Sequence, residues 1–268
     1  MNNINKYGIL EQNVLKSEID HHLENLRIKG YSIIKNLLDK DEIENAKEKL
    51  DQIYYIQLKE FGEENLSKLN YSDITRALLV YDKFFLDKIA LNYKVIEILN
   101  KIFNQNFILR EQNGIINRPN NPNYQLNWHR DIIYQHFTSS RPVSISVLYC
   151  LDDFNQSTGG TYFLPYTHKI DEFPSNEYVS ENQVCLNVSS GSAIIFDSML
   201  FHRSGYNSSE KNRAAKNNVY TIPIFKQSVS LPKSLKNIND LDEKTMKILG
   251  FNLETDDSVL DWRNRRLK

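Results

Sequence analysis

Residues 127–131 read Asn127-Trp128-His129-Arg130-Asp131, set between two runs rich in β-branched and aromatic residues, Phe107 to Ile116 and Pro142 to Leu151. In an extended chain residues two apart project from the same face, so His129 and Asp131 can bring an imidazole and a carboxylate to one point. A third ligand has to come from elsewhere in the fold. Phe196-Asp197-Ser198-Met199-Leu200-Phe201-His202 supplies it, a histidine just past an apolar run. Two imidazoles and one carboxylate on one face of an octahedron leave three positions open, which suits iron(II) oxygen chemistry. Zinc hydrolases also use two histidines and a carboxylate. A His-x-Asp tripeptide is common, so these residues alone leave iron and zinc, oxidation and hydrolysis, open.

The β texture continues through Thr161 to Leu164, Val184 to Val188, Ser192 to Phe196 and Val219 to Ile224. Between the runs lie Asn117 to Asn123, Gln156 to Gly160 and Asn207 to Asn218, rich in the Asn, Ser, Gly and Pro that turns require. Strands so spaced predict a sandwich or barrel. Upstream, Glu18 to Lys101 is mainly helical. Asp39-Lys40-Asp41-Glu42 has the form of a capping box, and Ile43, Ala46, Leu50 and Ile53 follow at helical spacing. A second run puts Phe85, Ile89, Ile96, Leu99 and Phe103 on one helix face suited to lie against a sheet. Ahead of the capping box, between the first helices, Tyr31 to Asn36 reads as a short strand. After Pro232 helical character returns around Leu241 to Leu249, and the basic Arg263-Asn264-Arg265-Arg266-Leu267-Lys268 reads as a solvated terminus.

No separator is long or biased enough to be a linker, so one domain is expected over residues 1–268. It comprises a helical part to about residue 105, a β core from about 106 to 228 and an extension from about 229 onward. Lys plus Arg total 33 against 34 Asp plus Glu, a net charge of −1, which leaves no electrostatic footprint for nucleic acid or an anionic membrane surface. No apolar run reaches the roughly 18 residues of a membrane span. Met1-Asn2-Asn3-Ile4-Asn5-Lys6 lacks the charged-then-apolar order of a secretory signal, so a cytoplasmic protein is expected. Cys150 and Cys185 read as small buried hydrophobes rather than a staple.

Arg213, past the turn that follows His202, could return along the next strand to face the same pocket and clamp a carboxylate through its planar fork. The alternative is a solvated charge beside Lys211 and Lys216. Arg130, Tyr134, His136, Arg141 and Arg203 lie close in sequence to the ligands and are candidate entrance residues favouring a polar or anionic small molecule. Arg130, between two same-face residues, is expected to point away from the metal.

With these residues in place, the chain resembles the phytanoyl-CoA dioxygenase-like branch of the non-haem Fe(II)/2-oxoglutarate oxygenases, over most of residues 20 to 225. Leu26 to Leu38 is similar to the family's opening helix, glycine turn and first strand. Trp128-His129-Arg130-Asp131 follows, then Val147 to Asp153, then Gly159-Gly160-Thr161-Tyr162-Phe163-Leu164-Pro165-Tyr166-Thr167-His168-Lys169, and finally Phe201-His202-Arg203-Ser204-Gly205 leading to Arg213. The resemblance implies a mainly β fold with flanking helices around a double-stranded β-helix (jelly roll, cupin-like) core. It implies His129, Asp131 and His202 as iron ligands and catalytic residues, with Arg213 and Ser204 on the distal carboxylate of 2-oxoglutarate. Gln112 and Asn117 resemble residues that touch this cosubstrate in some members.

The implied cofactors are Fe(II), 2-oxoglutarate and O2, and the implied activity is hydroxylation of a small molecule with release of succinate and CO2. Asp131 stands where halogenating members carry a small residue, which disfavours halogenation. Ile132 to Phe137 does not match the ectoine-hydroxylating members, and His168 matches a feature that is usually structural. Rival readings are a cupin-like metalloenzyme that does not use 2-oxoglutarate, a non-catalytic binding module on the same fold, and a peptide hydroxylase.

Overall fold

The structure is a computed structural model describing residues 8, 9, 12–122, 124–235, 240–251 and 253–267. Met1 to Lys6 and the terminal Lys268 lie outside the described residues. The strands are β1 (Tyr31–Ile34), β2 (Ile74–Arg76), β3 (Ile108–Asn117), β4 (Ser144–Cys150), β5 (Tyr162–Phe163), β6 (Val184–Cys185), β7 (Ala193–Asp197), β8 (His202–Arg203) and β9 (Arg213–Thr221). They pair antiparallel in a six-stranded sheet of order β1-β7-β4-β9-β3-β2 and a three-stranded sheet of order β6-β5-β8. Paired positions His129 with His202, Phe154 with Val188 and Thr158 with Asn207 extend this pairing outside the named strands.

Strand β4 is buried at every position because both its faces are covered. Leu148 and Cys150, with Ile194, Phe196 and Ala215 of the neighbouring strands, pack on Phe154, Phe163, Leu186 and Leu200 of the facing layer. The alternate residues Ile145, Val147 and Tyr149, with Ile195 and Tyr220, pack on the helical layer. The same buried cluster contains Leu26, Leu50, Leu99, Leu231 and Leu249, so the N-terminal helices and the C-terminal extension share one apolar core with the back of the sheet. This is the jelly-roll arrangement that the resemblance implies.

The helix Lys40–Phe61 opens on the capping box that the sequence announces, Asp39 accepting from Glu42 N–H and Glu42 from Asp39 N–H. The second amphipathic run is not one helix. It divides into a wide-turned helix, Phe85–Ala90, and a helix, Tyr93–Phe103. The sheet explains the break, because three of its side chains donate to carbonyls of the first segment. Gln112 Nε2 donates to Phe85 O at 3.1 Å, Tyr149 Oη to Ile89 O at 2.7 Å and Tyr220 Oη to Ala90 O at 2.7 Å.

Strand β9 begins at Arg213, within a stretch whose Asn content predicts a turn. Asn217 and Asn218 are buried there, Asn217 bonded to Asp131 and Asn218 to Tyr220 Oη, so tertiary partners override their turn preference. The last helix, Val259–Arg265, takes in the first half of the basic terminus, whose described residues are exposed as expected.

Candidate metal centre

His129 and His202 are cross-strand neighbours, each backbone N–H donating to the other's carbonyl at 3.0 Å. Side chains of such a pair emerge on the same side of the sheet. Asp131, two residues on, keeps to that side, and its own N–H is held by Ser198 O at 3.0 Å. The candidate ligand atoms of His129, Asp131 and His202 all lie within 4.8 Å of one another, and no other His, Cys or carboxylate joins them in a cluster among the described residues.

Both imidazoles are oriented by the chain itself. Nδ1 of His129 is 2.9 Å from Asn127 O, and Nδ1 of His202 is 2.9 Å from Leu200 O. A carbonyl only accepts, so the proton of each neutral ring sits on Nδ1 and each Nε2 is left with its lone pair bare, the tautomer a metal needs. Phe163 and Phe196 flank the His202 ring, with centroids at 5.8 and 4.8 Å. Asp131 presents Oδ1 toward His202 Nε2 at 3.4 Å, while Oδ2 accepts from Ser146 Oγ and from Asn217 Nδ2 at 3.2 Å.

Burial, reinforced by the neighbouring His202, pushes His129 down to about 4, so it is uncharged at neutral pH. Burial alone would raise Asp131, but the charge of His202 and His129 when protonated, together with the Ser146 hydroxyl, outweighs it and holds the carboxyl well below its ordinary range. Bare Nε2 atoms and an ionised carboxylate oxygen make a donor set that fits iron(II).

Arg213 and Asn217 share the face of β9 that points at this cluster, because they alternate with residues facing the helices. The Arg213 guanidinium is buried, donates from Nη2 to Gly159 O at 2.8 Å and Ser204 Oγ at 3.0 Å, and lies 4.3 Å above the Phe154 ring. Its Nε is buried without a hydrogen-bond partner, and it meets no carboxylate within 4.0 Å among the described residues. Burial lowers it to about 10, which still leaves it cationic at neutral pH. A buried cation without an acid partner is costly unless an anion completes it.

Arg213, Ser204, His129, Asp131, His202 and Asn217 line one cavity, whose apolar walls include Ile115, Leu148 and Phe196. Asn117 sits behind it. Its amide donates to Ser204 Oγ at 3.2 Å and Gly205 O at 3.0 Å, which pins the turn that carries Ser204. Gly159 has φ of +71°, and a Cβ there would meet Asn117 Nδ2 at 2.5 Å and Gly205 O at 2.6 Å, so only glycine lets these loops close on Arg213.

Gln112, expected at the cosubstrate, is on the opposite face of β3. Register sets it beside Asn218, and besides Phe85 O it binds Leu79 N–H through Oε1 at 2.7 Å, so it serves the helical layer. None of the five candidate entrance residues lines the cavity. Tyr134 and Arg141 are exposed, and His136 meets Tyr134 edge-on at 6.4 Å between centroids. Arg203 lies on the outer side of β8 between Trp128 and Tyr162, at 5.2 and 4.2 Å. Arg130 points away from the cluster as alternation predicts. His168 is buried against Gly30, outside the cluster. Ser146 and Asn217 are not marked by the metal motif, although a serine at alternate positions of an otherwise apolar strand, Ser144 and Ser146, is a signal that could have marked the first.

A jelly roll that gathers two histidines, a carboxylate and a buried arginine around one cavity defines a mononuclear-metal oxygenase-type centre. The chain belongs to the phytanoyl-CoA dioxygenase (PhyH) family, whose match spans residues 26–215. A curated relative, an uncharacterized protein of Mycobacterium tuberculosis (Rv1501), is 27% identical over 243 residues, covering 88% of each chain. Among solved structures, the epimerase SnoN in complex with Fe3+, alpha ketoglutarate and nogalamycin RO superposes with a TM-score of 0.59 at 13% identity, over 84% of this chain and 90% of that one. HygX from Streptomyces hygroscopicus, with nickel and 2-oxoglutarate bound, gives 0.59 at 16% identity over 79% and 90%. Membership of this family makes the chain an Fe(II)/2-oxoglutarate-dependent oxygenase.

Proposed function

We propose that Nε2 of His129, Nε2 of His202 and Oδ1 of Asp131 hold iron(II), and that Arg213 with Ser204 receives the distal carboxylate of 2-oxoglutarate. The prime substrate in this reading is a small polar metabolite or biosynthetic intermediate, which gains a hydroxyl group. The observation that carries the proposal is the buried Arg213 guanidinium, lacking an acid partner in the cavity onto which the three ligands open. That combination fits a dicarboxylic cosubstrate and leaves a cupin-like metalloenzyme without it, or a binding module, with no account of the charge.

Bound iron(II) would supply dioxygen activation, one oxygen atom entering succinate, formed with CO2 from 2-oxoglutarate, and the other the substrate. The chain's part is to orient and exclude. The backbone carbonyls of Asn127 and Leu200 fix the imidazole tautomers, Ser146 and Asn217 fix Asp131, and the Ile115, Leu148 and Phe196 walls keep water from the cavity. The carboxylate of Asp131 occupies the position a halide would need, in favour of oxygenation over halogenation.

The test is a screen of candidate metabolites with the iron-loaded protein, measuring succinate and the mass of the product. Substrate-dependent succinate with a product richer by one oxygen atom supports the reading. Succinate with a stereoinverted product of unchanged mass would make the enzyme an epimerase, as SnoN is, and absence of 2-oxoglutarate consumption across the screen would sink it.

A further inference from the structure

The residue between the paired ligands is buried more deeply than either of them. Arg130 is 2% exposed, yet no carboxylate lies within 4.0 Å of it among the described residues. Its guanidinium is held by backbone carbonyls instead. Nη1 donates to Gln135 O and, at 3.2 Å, to Phe137 O, and Nη2 donates to Thr167 O at 3.2 Å and to Ile170 O. The plane lies 3.9 Å above the Phe201 ring. The Gln135 amide closes the arrangement, accepting from Arg130 N–H at 2.8 Å and donating to Arg130 O at 3.1 Å.

One fork thus joins the loop that leaves Asp131 to the turn that follows β5, and seats both on the residue preceding His202. Burying a guanidinium is costly, and an apolar side chain could fill this space without that cost. What an apolar side chain cannot do is bond two loops at once. Five donors in a rigid plane can, and a lysine, a single point of charge, cannot span them.

We propose that Arg130 is a positioning residue for the metal centre, its fork holding the segments that carry His129, Asp131 and His202 in ligating register. This deepens the reading of the triad as an iron site and rests on it. Arg130 touches no ligand atom and acts through backbone geometry. Outer supports of this kind are worth about ten- to hundredfold in metal affinity.

The experiment titrates the full-length protein with Co(II), whose visible absorption bands report ligand geometry, for the wild type, R130K, R130A and the exposed-loop control R141A. Expected are a Co(II) Kd weakened at least tenfold in R130K with altered bands, wild-type behaviour in R141A, and recovery of affinity when guanidinium ion is added to R130A. If R130A does not fold, R130K decides alone: wild-type Co(II) affinity and spectrum in R130K overturn the proposal. Failure of the wild type to take up Co(II) overturns the triad reading itself, a result distinct from a wild type that binds and an R130K that binds equally well.

Discussion

His129 and His202 exchange both backbone hydrogen bonds at 3.0 Å, and their rings stand 4.4 Å apart, centroid to centroid. The distance between the two imidazoles is therefore set by β-sheet register and not by loop conformation. A register slip of one residue would send one ring to the far side of the sheet. Substituting either ring, His129→Ala or His202→Ala, is expected to abolish iron binding and 2-oxoglutarate turnover while far-UV circular dichroism stays unchanged. Metal titration checks this, and a His129→Ala protein that still forms succinate on addition of substrate contradicts the assignment.

Arg213 should govern the cosubstrate and not the metal. Removing the cation in Arg213→Met is expected to weaken 2-oxoglutarate binding by about thirtyfold to several thousandfold, since losing one partner of a buried charged pair costs about 2–5 kcal/mol. Metal affinity should stay within a few-fold of wild type. Isothermal titration of the metal-loaded protein separates the two, and an unchanged 2-oxoglutarate affinity would return Arg213 to a structural role.

Ser146 and Asn217 bond the Asp131 oxygen that faces away from His202. In Ser146→Ala or Asn217→Ala that oxygen loses a donor and the carboxylate gains freedom to turn. Metal affinity is expected to fall about ten- to hundredfold, with a larger loss in the double variant. Equal Kd values for wild type and both single variants would contradict the arrangement.

Asp197 carries a pH signature. Burial raises its carboxyl from 3.8 to about 6, against the opposing pull of the Met199 N–H, Lys169 and Arg130. The folded state therefore holds the proton more tightly than the unfolded chain, and ionisation penalises the fold. The penalty is absent below about pH 4, grows through pH 4–6 and is complete above, at roughly 3 kcal/mol. Asp197→Asn, which keeps an acceptor for Met199 N–H, should raise the melting temperature at pH 7.5 and lose that advantage near pH 4. Thermal melts across this range provide the check. An advantage that does not vary with pH would show that the carboxyl is not the cause.

Gln112 separates fold from site. Gln112→Ala strands the Leu79 N–H and the Phe85 carbonyl in the helical layer, at about 1–3 kcal/mol for each buried group left unsatisfied. Denaturant midpoint should drop with 2-oxoglutarate affinity unchanged. A selective loss of cosubstrate binding would place Gln112 at the site after all.

The ligand set is legible in the sequence because it is a local matter. His129 and Asp131 share a face by strand alternation, and the family pattern around Trp128 to Asp131 and Phe201 to Gly205 locates the third ligand and the arginine. Capping chemistry is equally local, and Asp39 with Glu42 marks the start of the helix Lys40–Phe61. The misread residues have a common cause. Asn217 and Asn218 carry turn-forming side chains, and only the burial of β9 between layers turns them into hydrogen-bond donors for Asp131 and Tyr220. Gln112 and Asn117 lie an odd number of residues apart on β3, so they face opposite layers. Which of them lies on the side of the ligand cluster is fixed by the pairing of β3 with β9, where Asn117 sits opposite Arg213 and Gln112 opposite Asn218. Sequence by itself determined which atoms could bind a metal, because donor chemistry and face alternation are properties of a few adjacent residues. The tertiary structure decided which polar side chains reach those atoms, because register and layer packing join residues that are distant along the chain.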